Sequence, residues 1–153
     1  MSLPKLIERT RFGAPQTTRR PSEAYALAAP TTYGLFTVTG FILILELSAT
    51  VTVVMPAGAK TIAVRAGAVA MDNTAYDLVN NAAGLQIIVQ GAVGLEIIIS
   101  ALSAASNTTG TMPWVMTPGA IDFILTTNPT DTGELAWTIL WQPLSKDATV
   151  VVT

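Results

Sequence analysis

Few residues in this chain are able to do chemistry, because it contains no histidine and no cysteine. Those two absences exclude disulfides, Cys/His zinc sites, a Ser-His-Asp triad and a Cys-His dyad. Catalysis would rest on Asp, Glu, Tyr, Ser, Thr or Lys. Paired carboxylates serve glycosidases, but the acids after residue 24 (Glu46, Asp72, Asp77, Glu96, Asp122, Asp131, Glu134 and Asp147) form no recognisable motif. Glu46, Glu96 and Asp122 fall on the polar faces of expected strands, and Asp72, Asp77 and Asp131 fall in loops as turn formers. Asp131-Thr-Gly133 matches the aspartic-protease tripeptide, in a single copy inside a turn-rich Asn-Pro-Thr-Asp-Thr-Gly run. Gly91-Ala-Val-Gly94 has the spacing of nucleic-acid-clamping GxxG loops but no basic neighbour to hold phosphate. Asn107-Thr-Thr109 is formally a glycosylation sequon and reads as loop. Trp137 and Trp141 share one face of an expected strand and suit core packing or a subunit interface before stacking on a sugar ring. No catalytic, cofactor-binding or metal-ligating residue is expected.

The elements that must position these residues are β-strands. Phe41–Met55 alternates, with Phe41, Leu43, Leu45, Leu47, Ala49, Val51 and Val53 on one face. The other face then carries Ile42, Ile44 and Glu46, and the length predicts a bulge near Ser48-Ala49. Further strands are expected at 35–39, 61–69, 114–116, 120–125, 134–142 and 149–152. Residues 84–100 contain a near-repeat, Gly-Leu-Gln-Ile-Ile-Val-Gln and then Gly-Leu-Glu-Ile-Ile-Ile-Ser. Its length permits a membrane span, but Glu96, three glycines and the missing basic flanks oppose one. Two adjacent strands fit better, with Leu85, Ile87, Val89, Leu95, Ile97 and Ile99 toward the core. Roughly eight strands separated by turn chemistry predict an all-β fold, an antiparallel β-sandwich or jelly-roll-like body.

Charge is uneven. The chain of 153 residues is 50% hydrophobic and only 12% charged, about half the usual charged share. So few charges predict an assembly that buries apolar surface between subunits. Residues 1–23 carry five basic and two acidic groups, residues 24–153 three basic and eight acidic. The expected organisation is therefore an extended basic N-terminal arm, 1–33, and a β-sandwich body, 34–153. Hydrophobic anchors alternate with cations in the arm, so Leu3, Lys5, Leu6, Ile7, Arg9, Arg11, Arg19 and Arg20 are the expected partner-binding residues. About five phosphate contacts without aromatic platforms give only weak, nonspecific nucleic-acid binding, so an acidic protein surface is the expected partner. Ile42, Ile44, Ile88 and Ile98, placed among polar neighbours, are the expected subunit interface, covered by a neighbouring subunit or by the protein's own arm. The N-terminus shows no apolar run of signal-peptide type, so an intracellular origin is expected.

Three segments carry a resemblance: "LFTVTG" (35–40), "TPGAIDF" (117–123) and "TGELAWTILWQPL" (132–144). Together they resemble small β-rich virion proteins of tailed bacteriophages. In build, an N-terminal arm on a β-rich body resembles the capsid decoration or cement proteins. The resemblance implies a non-enzymatic virion protein without cofactors, often a homotrimer on the capsid exterior, made in the bacterial host cytoplasm. Its implied partners are the major capsid protein and neighbouring copies of itself, with no specific nucleic acid and no membrane. The alternative is a receptor- or glycan-binding head fibre or tail spike module, with Trp114, Trp137 or Trp141 as stacking platforms.

Overall fold

A computed structural model describes residues 13–24, 31–55, 60–67, 69–71, 76–78, 81–89, 98–100, 113–127 and 133–153. Among these residues there are twelve strands and no helix. They are β1 (Gln16–Ala24), β2 (Thr31–Thr39), β3 (Ile42–Val53), β4 (Lys60–Ala66), β5 (Val69–Ala70) and β6 (Tyr76–Asp77), followed by β7 (Gln86–Val89), β8 (Ile98–Ser100), β9 (Trp114–Met116), β10 (Gly119–Thr127), β11 (Glu134–Pro143) and β12 (Thr149–Val152). No helix among them is long and apolar enough to cross a membrane.

Two sheets form. One runs β1-β11-β3-β7-β8, with β9 also paired to β3; the other runs β12-β2-β10-β4-β5, with β6 also paired to β4. Every pairing between them is antiparallel. The inner orders, β1-β11-β3-β7 against β2-β10-β4-β5, are those of two interlocked Greek keys, a jelly roll. Chain neighbours β1 and β2, β3 and β4, and β10 and β11 divide between the two sheets, so each connection crosses the sandwich.

The core follows from strict alternation. In β11, Leu135, Trp137, Ile139, Trp141 and Pro143 are buried and the residues between them are half-buried. Ile62 and Val64 of β4 and Ile121, Phe123 and Leu125 of β10 close on them from the other sheet. An aromatic stack crosses the interior. Tyr33 lies 5.1 Å from Phe123, ring centre to ring centre, and Phe123 lies 5.3 Å from Trp137 in the facing sheet. Stacked pairs of this kind add roughly 0.5–1.5 kcal/mol beyond the area they bury.

The expected strand pair at 84–100 is present. Gln86, Ile87 and Ile88 pair with Ser100, Ile99 and Ile98. Ile87 and Val89 are fully buried and Leu85 packs against the core. Leu95, Ile97 and the expected turn at 91–94 lie outside the described residues.

Two expectations are corrected. The first is the face of Ile42 and Ile44. Both are fully buried, whereas Phe41 is 49% exposed. The cause is a bulge at Leu45: Trp141 pairs with Ile44 but Leu140 pairs with Glu46. One extra residue exchanges the two faces, so Ile42 and Ile44 point inward before it and Leu47, Ala49 and Val51 after it. The bulge falls earlier than the expected Ser48-Ala49 position.

The second correction concerns residues 1–33. Gln16–Ala24 is not a separate arm but the first strand of one sheet, paired along β11 from Gln16↔Trp141 to Ala24↔Glu134. The expected boundary at 33/34 falls inside β2, the first strand of the other sheet's jelly-roll set. β1 lacks apolar alternation because it is an edge strand. Its Pro21 sits where the register slips between Arg20 and Glu23, and proline is tolerated at an edge or bulge because no ladder donor is needed there.

Candidate interaction surfaces

The expected partner-binding residues separate into three groups. Leu3, Lys5, Leu6, Ile7, Arg9 and Arg11 lie outside the described residues. Arg19 points outward from β1 opposite Thr138 and is exposed. Arg20 points the other way, opposite the buried Trp137, and its side chain is only 11% exposed.

Arg20 is occupied within the fold, which corrects its expected role. Its Nε and Nη2 donate to Glu23 Oε2 at 3.0 and 2.6 Å. Its Nη1 donates to Thr153 O at 2.5 Å and Leu35 O at 3.4 Å. Those carbonyls belong to the opposite sheet and the residue following it, so the guanidinium fork ties β1 across the seam. Thr18 makes the second tie. Its hydroxyl accepts from Trp141 Nε1 at 3.1 Å and donates to Val150 O at 3.3 Å. β1 and β12 are thus neighbouring sheet edges joined by side chains, which blunts two edges together.

The expected interface isoleucines also disperse. Ile42 and Ile44 belong to the core. Ile88 is half-buried on the outer face opposite Ser48. Ile98 pairs with it along the backbone of β8, and its side chain lies outside the described residues.

The bulge at Leu45 builds a different apolar surface, which sequence alternation missed. Leu43 faces outward between Val115 of β9 and Gln142 of β11. Leu140 is its diagonal neighbour across that ladder, and Phe41 lies two residues earlier, just before β3. The Phe41 end is held by two hydrogen bonds, Leu144 N to Phe41 O at 2.8 Å and Phe41 N to Ser145 Oγ at 2.9 Å. Phe41 and Val115 are 49% and 54% exposed, and Leu43, Leu140 and Leu144 are half-buried around them. Side chains at such cross-strand and diagonal positions lie within reach of one another, so these five residues cluster into an apolar area around Gln142 at one end of the sheet face. Gly13 adjoins Pro143 at this same end. Beyond the bulge the same sheet face is mostly polar, with Ile88 half-buried on it.

Chemistry-bearing groups stay dispersed. Among the described residues no group of three or more His, Cys, Asp and Glu side chains could hold a metal ion. Asp122 faces Arg65 across the β10–β4 ladder at 3.9 Å. Glu134 accepts from Ser22 Oγ at 2.7 Å, and Ser22 also hydrogen-bonds Thr52. Asp131, Asn107 and Glu96 lie outside the described residues. Trp137 and Trp141 are 0% and 3% exposed, so neither offers a ring face to a sugar; Trp114 is partly buried against the core.

The fold places the chain among jelly-roll β-sandwich proteins. Compared with known proteins, it matches no family model, no curated protein and no solved structure.

Proposed function

We propose that this chain is a structural subunit of a tailed-phage virion that decorates the capsid exterior and reinforces it. The observation that carries this reading is the apolar area of Phe41, Leu43, Val115, Leu140 and Leu144 at one end of a sheet face. Clustered exposed apolar surface on a folded domain marks a contact site. With so few charges in the chain, copies of the same body are the partner that surface suits. Homotrimer assembly places it between subunits. The basic residues Lys5, Arg9 and Arg11 suit an acidic shell surface. The jelly roll adds a fold-level analogy, since viral capsid domains and lectins both use it.

The test mixes the purified full chain with undecorated capsids and counts bound copies by electron microscopy. Copies in multiples of about sixty per particle are expected from icosahedral symmetry. No binding to shells, or a few copies at one vertex, overturns the decoration reading. In parallel, light scattering reads self-association of the wild type and of Val115→Asp, which is expected to dissociate the assembly. A wild-type monomer at all concentrations overturns the role given to the apolar area.

A further inference from the structure

A second surface, independent of the assembly reading, lies on the polar half of the outer face of the β1-β11-β3-β7 sheet. It is a groove of about 550 Å³. Its floor is short side chains in two directly opposed pairs, Ala136 with Thr50 and Thr138 with Ser48. Arg19 and Pro21 of β1 rise along one side and Gln86 of β7 along the other. Glu46 and Thr52 stand at the two ends of the β3 portion. The concavity has a local cause. Register slips at Leu45, at Thr52 and beside Pro21 bracket the floor, and bulges bend and twist the strands that carry them.

Of the groove's lining side chains, Thr52 bonds Ser22 and Arg20 is tied into the seam, while the others able to hydrogen-bond are without partners. Among the described residues, Arg19, Glu46, Ser48, Thr50, Gln86 and Thr138 make no side-chain hydrogen bond or ion pair. The set holds donors and acceptors, with one cation and one anion. A polyanion would need several cations in line, so nucleic acid does not fit. An added peptide strand needs a free sheet edge, and the floor strands β11 and β3 are paired on both sides. A polyhydroxylated ligand fits. Guanidinium and carboxylate each present two parallel hydrogen-bonding positions, which match vicinal hydroxyls. Neutral hydroxyls and an amide line the path between them. From Glu46 to Thr52 the strand spans roughly 20 Å, the length of a short oligosaccharide.

We propose that this groove is a saccharide-binding site, with Arg19 and Glu46 each gripping a vicinal diol and Ser48, Thr50, Thr138 and Gln86 contacting the rings between. It uses edge-on hydrogen bonding without an aromatic platform, unlike the tryptophan-stacking alternative drawn from sequence. The experiment passes the intact chain over immobilised neutral gluco-, galacto- and chito-oligosaccharides, then titrates any retained sugar into labelled protein by NMR. Saturable binding with shifts confined to the groove strands is expected. Arg19→Ala and Glu46→Gln, both at exposed positions, are each expected to weaken it about tenfold while the folded spectrum is unchanged. Val151→Thr, on the other sheet, is expected to change nothing. No saccharide retained, equal binding by the groove variants, or retention only on heparin with steep salt dependence would overturn the proposal. Loss of capsid binding in the preceding test leaves this result untouched, because that test reads the apolar area and this one the groove, two adjoining surfaces that meet where Leu140 pairs with Glu46.

Discussion

Replacing Arg20 by alanine is expected to cost about 2 kcal/mol of stability, while Arg19→Ala costs less than about 0.5 kcal/mol. The two arginines are adjacent in sequence and chemically identical. Only their faces differ: Arg19 points to solvent, and Arg20 spans the seam between the sheets. The magnitude follows from its contacts. The bond to Thr153 O is short and charge-assisted, but Thr153 is exposed and water can replace it, so it contributes about 1 kcal/mol. The bond to Leu35 O is long, 3.4 Å, and that carbonyl keeps a second donor, Thr153 N; roughly 0.5 kcal/mol is assigned. Glu23 is 53% exposed, which limits its ion pair to about 0.5 kcal/mol. With a urea m-value of about 2 kcal/mol/M for a domain of this size, the midpoint should fall by about 1 M. The assay is urea unfolding of wild type, Arg19→Ala, Arg20→Ala and Arg20→Lys, followed by tryptophan fluorescence. Lysine keeps the charge but cannot fork between the two carbonyls and Glu23, so Arg20→Lys should recover less than half of the loss. Equal midpoints for the Arg19 and Arg20 variants would refute the seam and return both residues to a solvent-facing arm.

Thr18→Val keeps the shape but removes the acceptor of the buried Trp141 indole. A loss of about 1–3 kcal/mol is expected by urea unfolding, with a shift of tryptophan emission in the folded state. Ile44→Ala should cost about 2–5 kcal/mol as a core truncation, and Ile88→Ala under about 1.5 kcal/mol; calorimetry that ranks them in reverse would contradict the bulge at Leu45. Gly40 has φ +69°, and an added Cβ would lie 2.9 Å from Ala148 Cα. Gly40→Ala is therefore expected to lose about 2–3 kcal/mol, read as a lower melting temperature.

Much of the sandwich is legible in the sequence because period-two burial is a local signal. Leu135, Trp137, Ile139 and Trp141 alternate, and all four are core. The near-repeat at 84–100 announces its strands through isoleucine, valine and glycine, and β7 and β8 pair as expected. What failed was local alternation carried past a bulge. Leu45 looks like any other apolar strand residue, and only its mismatch with Leu140 and Trp141 of β11 places the extra residue there. That single slip moved Ile42 and Ile44 from the expected interface into the core and turned Phe41 and Leu43 outward. Likewise β1 carries threonines, arginines and a proline, with no apolar face to announce it.

The sequence by itself determined the all-β class, the greater part of the strands and the buried face of β11, because side-chain period and turn residues act over a few positions. It also bounded the chemistry, since a chain without histidine or cysteine lacks the groups for the commonest nucleophile and metal sites. Only the tertiary structure decided which of two neighbouring arginines faces water. It also decided where the apolar area lies and that six unpartnered polar side chains share one groove. Those properties depend on register between strands far apart in the chain. One inserted residue changes register without leaving any mark in local composition.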